Sequence, residues 1–307
     1  MKKVRQRIAF MLAMLMAFAM VGCSGKKDDK EAKKIIADDK SVMDMTFTPP
    51  ETYESVLRTI EKTTAGDIIQ KELDYTLADE SEYDYAYLYM EDVDLSNALD
   101  TEKLEKMEID GRTFYIQEEN DKSYQAYAQK DAHIYGFQYT ASAEGKREIF
   151  NEAMEAIHFS DKMESVTDDI TFEGLSYTID EELPLYSTTT TLVEKQDGTV
   201  LKKSLQWNFG EDAENLTFCF VIRLFKNTTV DKEINEKYEY EEKTVGDITY
   251  KVLKPSEGKA AYEYFTQHGD DVYEIRNSGI SNGWFGVTRS EESEAAFEKL
   301  LNSIHFE

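Results

Sequence analysis

The chain has 307 residues, with 62 Asp and Glu against 35 Lys and Arg and a formal charge of −27. So acidic a chain repels phosphate backbones and anionic headgroups, and no Lys or Arg cluster is dense enough to offset the surrounding carboxylates, which excludes nucleic acid as a partner. With 41% apolar residues and four prolines it can bury one or two good cores, which excludes a disordered chain.

Lys2, Lys3, Arg5 and Arg7 precede an uncharged apolar run over residues 8–21. That run has the length of a signal h-region and falls short of the ~20 residues a bilayer-spanning helix needs. It closes on Met20-Val21-Gly22-Cys23, which resembles the lipobox of bacterial lipoproteins, with Met20 standing where a branched apolar residue is usual. The resemblance implies that residues 1–22 are removed as a signal peptide and that Cys23 carries a thioether-linked diacylglycerol. The mature protein would then be lipid-anchored on the extracytoplasmic face of the cell membrane. Two or more acyl chains anchor stably where one is marginal, each buried methylene contributing about 0.8 kcal/mol. Residues 23–41 are rich in Lys and Asp and poor in large apolar side chains, so they read as the lipidated N-terminus and a flexible tether.

Beyond the tether the sequence reads as two tandem repeats, at 42–160 and 169–307, joined by a short linker at 161–168. Asp44-Met45-Thr46-Phe47 recurs as Asp169-Ile170-Thr171-Phe172, and Ala156-Ile157-His158-Phe159 recurs as Ser303-Ile304-His305-Phe306. The spacing between equivalents grows along the chain, so the second copy carries extra residues, for which 192–205 is a candidate. Its centre, Asp197-Gly198, is a type I′ hairpin signal.

In chain order, the apolar stripe Tyr53, Val56, Leu57 and Ile60 follows Pro49-Pro50 and predicts a helix in the first copy. Tyr83, Tyr85, Tyr87 and Tyr89 alternate with Asp84, Ala86, Leu88 and Met90, a period of two that predicts a strand with four phenol rings on one face. Phe150, Ala153, Met154 and Ile157 predict a closing helix. Leu216, Phe218, Phe220 and Ile222 alternate as a second-copy strand that also holds Cys219. Phe297, Leu300, Leu301 and Ile304 follow one helical face, with Ser290 positioned to cap a helix over Glu291–Ser303. The expected fold class is α+β: two repeats, each an antiparallel sheet with a C-terminal amphipathic helix packed on one face. This order of strands and a closing helix with an apolar tail resembles the Mog1/PsbP-like domains, which implies a non-enzymatic accessory or binding role.

No catalytic constellation emerges. Gly279-Ile280-Ser281-Asn282-Gly283 has the G-x-S-x-G spacing of hydrolases, but Asn282-Gly283 leads into a strand-like run and reads as a hairpin turn. Cys219 has no second cysteine to pair with if Cys23 is lipidated, and reads as a buried thiol. His133, His158, His268 and His305 have no metal-ligand spacing, so no metal site is expected; His158 and His305 occupy equivalent positions suited to helix C-termini. Asp92-Val93-Asp94-Leu95-Ser96 opens like a calcium loop, but Asn97 and Lys103 stand where Gly and Glu belong, so it reads as a helix start. Acidic pairs such as Asp270-Asp271 and Glu211-Asp212 could hold calcium weakly, and no other cofactor is expected.

The sequence therefore points to a non-catalytic, membrane-anchored binding or protein-interaction lipoprotein that presents a groove or sheet edge to another envelope protein or a peptide. A second reading is a small-molecule or glycan receptor using Tyr83, Tyr85, Tyr87 and Tyr89 or a cleft between the copies. A third is a hydrolase built from scattered carboxylates.

Overall fold

The computed structural model describes residues 40–42, 44–50, 53–79, 82–91, 95, 99–120, 123–131, 133–141, 146–159, 171–172, 174–213, 215–253, 262–279 and 290–307. Cys23, the tether before Lys40, the linker at 161–168 and the hydrolase-like motif from Ile280 onward lie outside the described residues, as does most of the calcium-like loop. No helix among the described residues is long and apolar enough to cross a membrane.

The fold class differs from the expectation. Strands take up 61% of the described residues and helices only 14%, and the main element is an antiparallel sheet of 14 strands. The protein is mostly β, and the α+β pair of repeats is incorrect. Chain contacts divide it into two compact units, Met1–Ser55 with Asp74–Met163 and Val56–Leu73 with Glu164–Glu307. A hairpin encoded in the first half thus belongs to the unit built mainly from the second half.

In the first unit, strand β1 (Met45–Phe47) pairs with β9 (Ile157–Phe159). The larger ladder comprises β4 (Glu82–Glu91), β5 (Glu105–Ile109), β6 (Arg112–Asn120), β7 (Ser123–Lys130) and β8 (His133–Thr140), in the order β4-β8-β7-β6-β5. Asp110 and Gly111 both have positive φ, 48° and 76°, the backbone of a type I′ turn between β5 and β6. Alternation decides the faces. Ala86, Leu88, Ala126, Phe114 and Phe137 point to the core, where helix α1 (Lys146–Glu155) lays Phe150 and Met154. Phe137 meets Phe150 at 6.2 Å and Phe47 at 5.4 Å between ring centroids. Asp44 clasps the N-terminal segment to the sheet, accepting two hydrogen bonds from Arg112 at 2.8 and 2.6 Å and one from Lys130 at 2.6 Å.

The second unit holds β2 (Glu54–Thr64), apart from its first two residues, and the start of β3 (Asp67–Asp79). With them are β11 (Leu185–Lys195), β12 (Val200–Gly210), β13 (Leu216–Phe225), β14 (Tyr240–Val245), β15 (Ile248–Leu253), β16 (Tyr262–His268) and β17 (Asp271–Gly279). The ladder runs β14-β15-β16-β17-β13-β12-β11-β2, and a small sheet pairs β10 (Leu175–Ser176) with β18 (His305–Phe306). Phe218, Phe220, Ile222 and Leu224 face helix α3 (Glu291–Ser303), whose Phe297, Leu300 and Leu301 complete the core. Ser290 caps α3: its hydroxyl accepts from the Ser293 amide at 3.0 Å, and the Ser293 hydroxyl accepts from the Ser290 amide at 3.2 Å. A short helix α2 (Val230–Glu233) sits against β16.

Two local expectations are also corrected. The stripe read as a helix at Tyr53 to Ile60 is the strand β2, paired with β11 from Thr63 opposite Thr188 to Val56 opposite Lys195. Its β-branched content suits a pleated surface, and its buried positions are Ser55, Leu57, Thr59 and Glu61, alternate residues of a strand. The turn at Asp197-Gly198 joins β11 to β12, but only Gly198 has positive φ, 81°. The Gly198 amide donates to the Lys195 carbonyl at 2.9 Å, so the loop is a type I turn closed by a left-handed glycine rather than type I′.

Candidate functional site

The tyrosines of β4 open onto the face of the first unit's sheet that looks away from α1. Pairing arranges this face in rows. Tyr85 stands opposite Thr140, which stands opposite Ser123; Tyr87 opposite Gln138, then Gln125, then Gln117; Tyr89 opposite Gly136, then Tyr127, then Tyr115. The middle row is polar, and hydrogen bonds tie it to the rows on either side. The Tyr127 hydroxyl donates to Gln125 Oε1, Gln125 Nε2 donates to Gln138 Oε1 at 3.0 Å, and Gln138 Nε2 donates to Ser123 Oγ at 2.9 Å. Gln125 and Ser123 are buried. Their polar atoms satisfy one another, so the amides are fixed in orientation rather than free to rotate.

The four tyrosines are not equivalent. Tyr89 is 9% exposed and packs with Tyr127, Ile134 and Leu95 in a small cluster of its own. Its ring lies across the bare backbone of Gly136, where an added Cβ would come within 2.6 Å of Cε1 and the hydroxyl oxygen. Tyr87 stacks on Tyr89 with centroids 5.2 Å apart and planes 23° apart. Tyr85 and Tyr87 are half-buried and present the accessible aromatic surface. Tyr83 belongs to β4, and its side chain lies outside the described residues. At the far end Gln129 accepts from the Leu95 amide at 2.5 Å and donates to the Asp131 and His133 carbonyls, closing the cluster.

Sequence reasoning missed the amide partners Gln117, Gln125 and Gln138. Their signal was present: Ser123, Gln125 and Tyr127 alternate with Tyr124, Ala126 and Ala128, as Gly136, Gln138 and Thr140 do with Tyr135, Phe137 and Tyr139. Only strand pairing shows that both polar faces adjoin the tyrosines.

The other candidates take structural positions. Cys219 is buried in β13, and burial pushes its thiol above the usual range. The His305 Nδ1 sits 3.0 Å from the carbonyl oxygen of Ser303 at the end of α3, and His158 lies exposed in β9. Asp84, though buried, accepts hydrogen bonds from the Tyr139 hydroxyl at 2.8 Å and the Tyr53 hydroxyl at 3.2 Å. Burial, reinforced by Asp84, pushes the Tyr139 phenol far above its ordinary value. Among the described residues no three His, Cys, Asp or Glu side chains gather to hold a metal ion.

No family model and no curated protein matches the sequence. Among solved structures the chain is similar to the apo immunity protein TplEi of the T6SS from Pseudomonas aeruginosa, at 9% identity over 86% of this chain and 95% of that one, with a TM-score of 0.26. It is also similar to MucB in complex with MucA(peri), at 10% identity over 83% of this chain and 94% of that one, with a TM-score of 0.13. Likeness this slight transfers neither fold nor role.

Proposed function

We propose that the protein is a lipid-anchored, extracytoplasmic binding protein without catalytic activity, which holds an envelope protein partner on the tyrosine and glutamine face of its first unit. The observation that carries this reading is the row Tyr87, Gln138, Gln125 and Gln117, in which the buried Gln125 holds the part-exposed Gln138 amide in a fixed orientation beside the accessible Tyr87 ring. Tyr offers rigid apolar area with a polar tip, and a pre-ordered amide such as Gln138 loses little entropy when a partner's backbone lies across it. Support for the anchor is the lipobox-like Met20-Val21-Gly22-Cys23 and the tether that follows it.

The test places a photo-crosslinking amino acid at Tyr87 in the full chain, on the cells that make it, and identifies adducts by mass spectrometry. A discrete envelope protein captured from Tyr87, and lost with Cys23→Ala, is expected. Absence of any protein adduct, together with a glycan array on which the parent binds and Tyr85→Ala and Tyr87→Ala do not, would replace the protein partner with a sugar.

A further inference from the structure

The second unit has a polar sheet face of a different character. On the side away from α3, strand pairing sets Arg58, Val193, Lys202, Phe225 and Val272 in one row and Ile60, Thr191, Ser204, Arg223 and Glu274 in the next. A third row runs from Lys62 through Thr189, Gln206 and Val221 to Arg276, beside Glu263. Arg58, Lys62, Lys202, Arg223 and Arg276 thus share a face with Glu263 and Glu274, so cations outnumber acids here in a chain where acids outnumber cations 62 to 35.

The central ammonium lacks an acceptor. Lys202 makes no hydrogen bond or ion pair among the described residues; its one contact of note is with the Phe225 ring, 4.8 Å from Nζ to the centroid. A Lys ammonium has three donors, and a desolvated charge is costly unless those donors are met. A cation–π contact, about 2 kcal/mol or more for a desolvated cation, leaves those donors without acceptors. Beside it, Arg223 spends a single nitrogen, Nη1, on the Glu274 carboxylate at 2.9 and 3.2 Å, leaving Nε and Nη2 without hydrogen bonds among the described residues. Lys202 and Arg223 are diagonal neighbours on adjacent strands, a separation of about 7–8 Å that two long side chains readily close. Ser204 stands opposite Arg223 and two residues along from Lys202, with Thr191 opposite it on β11, and Val193, Phe225 and Val272 share the row through Lys202. Among the described residues Lys62, also partly desolvated, makes no hydrogen bond or ion pair and only a 5.7 Å contact over the Tyr186 ring.

We infer that this face binds a small-molecule oxyanion, a carboxylate or phosphate, which bridges the Lys202 ammonium and the free guanidinium edge of Arg223 over Ser204. The geometry suits one compact anionic group attached to an apolar body that lies along Val193 and Phe225. The site stands apart from the tyrosine and glutamine face and does not depend on the function proposed for it.

Burial first, then the like charge of Arg223, lowers the Lys202 ammonium to about 8, with Arg58 adding to the fall and Glu274 and Glu233 opposing it. The groups facing it are therefore Arg58 from β2, Arg223 from β13, Glu274 from β17 and Glu233 from α2. Lys202 is the group on this face whose charge changes near pH 8.

Calorimetric titration of the full chain with inorganic phosphate and, separately, with succinate tests the proposal and distinguishes the two anions. Saturable binding of at least one is expected. Lys202→Met should weaken it about tenfold or more, the loss of one charge-assisted hydrogen bond, whereas Lys202→Arg should hold it within a few-fold. With succinate, whose charge is constant above neutrality, affinity should fall as pH rises through about 8 in the parent. That fall should be blunted in Lys202→Met. Because Lys202→Met removes an unpaired desolvated charge, it should raise the melting temperature of the ligand-free protein, which confirms that the variant folds. No saturable binding of either anion, or equal binding by a folded Lys202→Met, would overturn the site and assign the Lys202 donors to water.

Discussion

Gly136→Ala is the sharpest test of how the tyrosine face is built. Gly136 carries no left-handed backbone strain, since it is absent from the positive-φ residues, so alanine meets no conformational objection. The obstacle is the Tyr89 ring, whose Cε1 would lie 2.6 Å from the new Cβ. Carbon atoms in ordinary contact sit about 3.5–4.0 Å apart, so the overlap is on the order of 1 Å. The ring has little room to retreat: Tyr87 stacks on it at 5.2 Å and Tyr127 meets it edge-on at 6.5 Å. Overpacking of this kind costs about 1–3 kcal/mol. In a Tyr89→Ala background the ring is gone, and the same change should be neutral or should stabilise by about 0.4–1 kcal/mol through the restricted unfolded chain. Urea unfolding of the four proteins of this double-mutant cycle, followed by far-ultraviolet circular dichroism, gives the coupling, expected at about 1–3 kcal/mol. Equal costs in the two backgrounds would refute the idea that the tyrosine ring selects glycine here.

Three further predictions follow from particular contacts. Lys71 and Glu61 form an ion pair at 3.5 Å with both side chains fully buried, so Lys71→Met alone should destabilise by about 3–5 kcal/mol by removing the countercharge of a buried carboxylate, while Lys71→Met with Glu61→Leu should recover most of the loss in urea titrations. Burial alone would raise the Asp44 carboxyl, but Arg112 and Lys130 hold it below the usual carboxylate range, so its contribution is complete above the unfolded value of 3.8 and is lost as pH falls through the lower folded value. Acid unfolding curves should therefore flatten in Asp44→Asn relative to the parent at pH below about 4. Ser290→Ala removes the α3 cap and should cost about 0.5–2 kcal/mol, with hydrogen exchange rising first at the Ser293 amide that loses its acceptor.

What the sequence determined by itself was local. Alternation in β4 and β13 assigns each side chain to a face because a strand repeats every two residues, and Ser290 before an apolar stripe marks the start of α3 because a serine hydroxyl can satisfy an orphan amide. The tyrosines of the candidate site were legible in this way as a set sharing one face. What only the tertiary structure decided was non-local. The apolar spacing of Val56, Leu57 and Ile60 fits a helix as well as a strand, and the choice fell to β11, which offers Thr190 opposite Glu61 and Leu192 opposite Thr59 from far along the chain. That pairing also places polar residues such as Thr59 and Glu61 inward, against any reading by hydropathy, because the buried Lys71 supplies the countercharge. The same holds for both binding faces: the glutamine strip beside the tyrosines and the cations around Lys202 come from separate strands, and register alone brings them together, since a one-residue slip would turn each of them to the opposite face.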